Sequence, residues 1–274
     1  MKYGFVLPSG DARTAAETAE LAEQAGWDGF FVWEPVWGVD AWICLTAAAM
    51  RTERIRLGTM LTPLSRMRPW KLASETATLD NLSGGRVTLA VGLGAIDSGF
   101  AEFGEVTDRR TRAELLDEGL DILTGLWAGQ PFSHEGKHYT VRPTTFMPPP
   151  PPVQQPRIPI WVVGAWGRPK SMTRALRYDG LLPHVTKLTP EIVARMRAYA
   201  RAVRGPDARP YDIVVEDVTP SDDTMSAAAL VRPYAEAGVT WWLESLWGFA
   251  DDHEKVLARL RAGPPPPVTS AGLV

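Results

Sequence analysis

Eight short apolar runs alternate with stretches of helical spacing along this chain, and that alternation constrains the fold more than any other feature. The runs are Lys2–Leu7, Gly29–Trp33, Arg54–Met60, Arg86–Val91, Ile158–Val163, Gly180–Leu182, Tyr211–Val215 and Val239–Leu243. A buried strand followed by an amphipathic helix, repeated, favours a parallel sheet with helices packed outside it. Asp11 can cap a helix whose small face is Ala15, Ala19, Ala22 and Ala25, with Gly26 as its stop. An apolar segment covers about 40–50. Pro69 opens a helix carrying Leu72, Thr76, Leu79 and Leu82, ended by Gly84-Gly85. Further helices are expected over 109–127, 168–177, 190–203, 224–237 and 252–262, the segment from 190 being opened by Thr189-Pro190-Glu191. An open doubly wound sheet is the alternative, but eight regular units favour closure into a TIM (β/α)8 barrel. The 274 residues suit such a barrel, which typically takes about 250 in one domain.

The spacing breaks once. Between the fourth and fifth strands lies an insertion that holds the 109–127 helix and a proline-rich excursion. Pro131–Val141 reads as a short hairpin turning at Glu135-Gly136-Lys137, and Pro148–Pro152 as a stiff extended return. We therefore expect one domain over 1–262 and a disordered, proline-rich tail over 263–274.

Charge excludes some partners. Lys and Arg total 29 against 32 Asp and Glu, a net charge of -3, which offers no basic excess for nucleic acid. The lone cysteine, Cys44, cannot form an internal disulfide, and no 18-residue apolar stretch or signal-peptide pattern is visible. No membrane contact and a cytoplasmic location are expected.

Three motifs carry chemical suggestions. His134-Glu135-Gly136-Lys137-His138 matches the H-E-x-x-H zinc signature, which requires both imidazoles on one helix face. Pro131 before it, Gly136 within it and the strand-like Tyr139-Thr140-Val141 after it oppose a helix, so no metal is expected. Gly92-Leu93-Gly94 lacks the third glycine of a dinucleotide fingerprint, Asp97 standing there instead. Its glycines still allow a flat group to approach the fourth strand. Gly164-Ala165-Trp166-Gly167-Arg168-Pro169-Lys170 ends a strand and starts a helix, a turn able to bind an anion or simply to expose two cations.

Aromatic and acidic residues gather at the expected C-terminal ends of strands, where barrel active sites lie. Trp33, Glu34 and Trp37 follow the second strand; Trp241, Trp242, Glu244 and Trp247 surround the end of the eighth. In a closed barrel these strands flank the first, so the side chains could share one mouth. Core packing is the competing use for such tryptophans. Trp242 and Glu244 must share a face, and we expect that face to be the mouth, because a carboxylate under the helices would lack an obvious partner. Glu34 and Glu244 are therefore the candidate proton-transfer groups, and Trp33, Trp37, Trp242 and Trp247 the candidate substrate contacts.

In order and spacing the chain resembles the bacterial-luciferase-like family of flavin-dependent oxidoreductases. The resemblance is carried by Arg51–Thr59 with Pro63-Leu64, Leu72–Asp80, Leu82-Ser-Gly-Gly-Arg86 leading to Val91–Gly94, and Leu126-Trp127 with Glu135–Tyr139. Val153–Pro156, Pro159–Gly164 and Asp179-Gly180 complete it. It covers about residues 1–180 and thins beyond them. It implies a luciferase-type barrel that binds flavin mononucleotide (FMN), or alternatively the deazaflavin coenzyme F420, at the strand C-termini. The ring would lie against Thr59 and Met60, with a non-proline cis peptide at that pair, and against Gly92 and Gly94. The phosphate would sit near Gly164, Ala165, Trp166, Gly167 and Arg168. Glu34-Pro35 departs from the family, many members of which carry an Asp-His pair there.

The expected function is thus oxidation of a small organic substrate by a monooxygenase using reduced FMN. Hydride transfer with F420 is the alternative, and a non-catalytic flavin-binding or ligand-binding barrel is a third reading. A separate flavin reductase and a second copy of the chain are compatible partners.

Overall fold

In the computed structural model, residues 1–143, 149–220 and 223–266 are described. The expected tail from 267 onward and Pro148 lie outside them. Barrel strands β1 (Lys2–Leu7), β2 (Gly29–Val32) and β3 (Arg56–Thr59) alternate with α1 (Ala12–Gln24) and α2 (Ala41–Ala49). A two-residue strand, β4 (Thr62–Pro63), and a 3-10 turn at Leu64–Arg66 precede α3 (Pro69–Ser83) and β5 (Val87–Gly92). The insertion holds α4 (Arg109–Ala128) and the hairpin β6 (His134–Glu135) and β7 (Thr140–Val141). The second half runs β8 (Ile160–Ala165), α5 (Pro169–Leu176), β9 (Gly180–His184), α6 (Pro190–Arg204), β10 (Asp212–Asp217), α7 (Thr224–Ala237), β11 (Trp241–Ser245) and α8 (His253–Arg261). Eight parallel strands close on themselves, β1 pairing with both β2 and β11, and β3 with β5. The barrel and the insertion stand as expected.

Local chemistry fixes several helix ends. Asp11, Asp40 and Asp108 accept backbone N–H groups at the starts of α1, α2 and α4, satisfying donors that the helix leaves unpaired. Gly84 takes the left-handed conformation that ends α3.

The barrel interior is filled by a few large rings. Phe31 stacks on Trp161 at 5.5 Å, and Trp241 meets both rings edge-on. Glycines on neighbouring strands make the room. A Cβ at Gly4 or Gly29 would stand 2.7 Å from the Phe31 ring, and one at Gly180 would stand 2.3 Å from Trp161. Real Cβ atoms do not approach that closely, so small residues beside large ones set the interior packing. Trp242, one residue after Trp241, faces the other way and packs against Tyr234 of α7 at 5.6 Å.

The hairpin is held to α4 by carboxylates. Glu118 accepts the backbone N–H groups of Lys137, His138 and Tyr139, and Glu114 meets Lys137 Nζ and His138 Nε2. The H-E-x-x-H residues thus occupy an antiparallel hairpin, the wrong geometry for a helical zinc pair. Among the described residues no cluster of three His, Cys, Asp or Glu is placed to hold a metal.

Candidate active site

A cavity of about 660 Å3 opens at the C-terminal ends of the strands. Met60, Leu61, Val163, Leu182 and Val214 give it apolar surface, and the buried rings of Phe31, Trp161 and Trp241 share a core cluster with Leu182 and Val214. Gly92 and Gly94 form part of its wall. At Gly92 a Cβ would meet Leu61 at 3.1 Å and Val163 at 2.9 Å; at Gly94, where φ is +78°, it would meet Phe100 and Pro63 at 2.7 and 2.8 Å. The wall is therefore flat because side chains have no room there. The non-proline cis peptide lies between Met60 and Leu61, one bond later than expected.

One flank is basic. Arg109 and Arg112 of α4 and Arg174 of α5 line the cavity together with Ser171 and Ala165. Arg112 is buried, donates to the carbonyls of Leu93 and Gly94 at 2.7 and 3.1 Å, and stands 5.6 Å from the Phe100 ring. Its Nε has no partner among the described residues. Arg174 is clamped by Asp117 at 2.5 and 2.6 Å, so it holds α5 to α4 while also lining the cavity.

Two acids stand elsewhere on the rim, at β2 and β10. Glu34, just past β2, is 7% exposed. Thr62 donates to its Oε2 and pairs with Thr59 at 2.8 Å, while Arg66 stands 3.7 Å from its Oε1. Arg66 also donates to the Pro35 carbonyl, which fixes the loop bearing Glu34. Burial pushes the Glu34 carboxyl up to about 7 against the pull of Thr62 and Arg66. Glu216, at the end of β10, accepts the Trp247 indole N–H and lines the cavity beside His184 of β9. A carboxyl poised near neutrality beside an apolar pocket can hold or release a proton under ordinary conditions.

Several expected site residues lie elsewhere. Glu244 points outward between the barrel and α8, fully buried, with Arg259 Nε at 3.2 Å from its Oε1. Thr219 donates to it from both its backbone N–H and its hydroxyl, at 2.7 and 2.8 Å. Arg259 is the partner that the sequence reasoning did not find, so Trp242 and Glu244 share the helix-facing side and not the mouth. Burial pushes the Glu244 carboxyl above its ordinary value while Arg259 and Thr219 pull it down. Trp33 lines the cavity; Trp37 and Trp247 are exposed and do not. Thr59 is buried behind the cavity. Of residues 164–168, only Ala165, the last of β8, reaches it. Gly164 faces α5, where a Cβ would meet Leu181 and Met172. Trp166 packs on Tyr199, and Gly167 and Arg168 are exposed.

Comparison with known proteins decides the family. Residues 3–261 match the family described as luciferase-like monooxygenase. The chain belongs to the luciferase-like monooxygenase family. An uncharacterised protein of Mycobacterium tuberculosis is 32% identical over 292 residues, spanning 96% of this chain and 98% of its own. Among solved structures, the coenzyme F420-dependent tetrahydromethanopterin reductase of Methanopyrus kandleri aligns with a TM-score of 0.78 at 17% identity, covering 97% of this chain and 98% of that one. The oxygenating constituent of 3,6-diketocamphane monooxygenase of Pseudomonas putida, in complex with FMN, aligns with a TM-score of 0.73 at 15% identity, covering 96% of each. The family makes the chain an oxidoreductase, and its structural neighbours are named for both F420 and FMN.

Proposed function

We propose that this luciferase-like oxidoreductase oxidises a small organic substrate with reduced FMN. The observation that carries the reading is the pairing of a flat apolar wall with a basic corner in one cavity. Gly92 and Gly94 put no side chain on the wall, where a Cβ would already crowd Leu61, Val163, Phe100 and Pro63, and Arg109, Arg112 and Arg174 line the corner where an anionic tail fits. Arg109, Arg112, Arg174 and Ser171 would hold the phosphate, and Met60, Leu61 and Val163 would bear on the ring. When bound, the flavin supplies the redox chemistry. The chain's own part is to bind, orient and exclude water, and to hold a proton on the Glu34 carboxyl, whose Oε2 accepts from Thr62. No step passes through Arg168 or Glu244.

Use of F420 for hydride transfer is the second reading, favoured by one observation. Glu34 sits in the cavity with a pKa of about 7, so it can accept or return the proton that accompanies a hydride. Absorbance titration of the purified protein with FMN and F420, followed by oxygen uptake with reduced flavin, tests both. Saturable FMN binding with oxygen uptake supports the first reading. Exclusive F420 binding without oxygen uptake gives the second.

A further inference from the structure

The end of the barrel opposite the mouth carries a second cavity, of about 740 Å3, between the C-terminal half of α6, the 205–211 loop and the starts of β10 and β11. Among the described residues Arg197, Arg201, Arg204 and Arg209 line it and no acidic side chain does, Asp207 of the same loop standing outside the lining. Among the described residues none of the four makes an ion pair. Arg197, Arg201 and Arg209 are exposed and Arg204 half-buried, and four like charges around one concavity give it a positive potential.

Helix electrostatics accounts for only part of this. Cations in a last turn answer the negative end of a helix, which covers Arg201 and Arg204 of α6. It does not cover Arg197, a turn earlier, or Arg209, in the loop. Arg197, Arg201 and Arg204 stand at i, i+4 and i+7, one stripe along the helix. The cavity is also shaped around them. Gly238 has a φ of +107°, and a Cβ there would stand 2.3 Å from Arg197 Cδ, so the turn before β11 is hollowed where that side chain lies. Arg204 is held in place, stacked 4.3 Å over Tyr211 with one N–H on the Arg209 carbonyl. Tyr211 is itself anchored through its hydroxyl to the Ala175 carbonyl.

We propose that this cavity binds a small polyphosphorylated anion on Arg197, Arg201, Arg204 and Arg209. Guanidinium forks match phosphoryl oxygens two at a time. At about 1.5 Å rise per residue the stripe spans roughly 10 Å, the reach of a chain of phosphoryl groups and more than one phosphate can bridge. The cavity volume falls in the range of about 300–1,000 Å3 usual for small-molecule sites. This site is separate from the mouth and does not depend on which cofactor the mouth holds.

Isothermal titration at constant ionic strength, with tripolyphosphate and orthophosphate as probes, tests the proposal. With the mouth first filled by whichever cofactor it binds, one tripolyphosphate is expected per chain, bound at least about tenfold more tightly than orthophosphate. The double variant R201Q/R209Q should weaken it by about 100-fold, roughly tenfold for each guanidinium removed from the anion. Two controls locate the site. R13Q/R232Q removes the same charge from exposed surface elsewhere, and R109Q alters the mouth; both should bind within about twofold of wild type. Absence of saturable binding, an equal loss in R13Q/R232Q, or a loss in R109Q in place of R201Q/R209Q would overturn the proposal.

Discussion

Replacing Glu244 by glutamine distinguishes a structural carboxylate from a catalytic one. The side chain is fully buried, its acceptor oxygens face Thr219 and Arg259, and Arg259 is 3% exposed. Glu244→Gln keeps an acceptor for the Thr219 N–H but leaves the Arg259 charge without its counter-ion. Breaking a buried pair from one side costs about 3–5 kcal/mol, and the retained amide places this change near the lower bound. For a domain of this size each kcal/mol lowers Tm by about 2–4 °C, so a fall of roughly 6–12 °C is expected. Thermal denaturation followed by far-UV circular dichroism measures it, and turnover of the folded variant below its transition should stay within about threefold of wild type. The double variant E244L/R259M removes both charges and should recover about half of the loss. Full recovery is not expected, because Arg259 also donates to Gly263 and lies 5.0 Å from the Trp27 ring. A Tm within about 2 °C of wild type together with a turnover drop of about 100-fold would refute this reasoning and return Glu244 to catalysis.

Glu34→Gln should remove an inflection near pH 7 from the rate profile and lower turnover by about 100-fold. Because the folded pKa of Glu34 lies above its ordinary value of 4.5, its contribution to stability is present in acid and lost as pH rises through about 7. Urea titrations from about pH 4.5 to about pH 8.5 should therefore show wild type losing up to about 3 kcal/mol relative to E34Q; parallel curves would contradict the raised pKa. Arg112→Ala should weaken FMN by about 10–100-fold and riboflavin by less, while Arg168→Ala changes neither by more than about twofold. Equal losses for both ligands would remove the phosphate from this corner. Gly94→Ala should cost about 2–4 kcal/mol in chemical denaturation, since a left-handed φ and contacts below 3 Å act together; a neutral variant would mean that the loop moves aside freely.

The barrel was legible in the sequence because strand and helix periods differ and alternate eight times. Strand ends were less so. In the second half three of the four expected strands begin one or two residues early, as Tyr211–Val215 against the observed Asp212–Asp217 illustrates, and all four end short of the observed strand. The apolar run starts before the ladder hydrogen bonds do, and the polar residues that finish a strand leave no hydrophobic trace. The short ends hid His184, the last residue of β9, and Glu216, the last but one of β10, both at the mouth. Glu244 went astray for another reason. Alternation along β11 correctly paired it with Trp242, but the side they share depends on Arg259, fifteen positions later on a helix, and no local pattern reports that contact. Trp242 was misplaced with it.

The basic corner did leave a signal of its own. Arg109, Arg110 and Arg112 open α4, where the positive end of a helix disfavours cations by a few tenths to about 1 kcal/mol each. Asp108, the cap, and Glu114, paired with Arg110, offset them in part. A helix that begins with three arginines is electrostatically misarranged unless something negative faces its first turn. Arg110 has Glu114, but Arg109 and Arg112 line the mouth instead. With Glu34 and Glu216 also in its lining, the cavity carries charge of both signs, the arginines gathered on the α4 and α5 side. On the proposed reading, an anionic tail would be drawn to the α4 and α5 side, and a flat ring carrying such a tail would enter tail-first toward it. The misfit of α4 with its own dipole is then the local cost of orienting what the mouth binds.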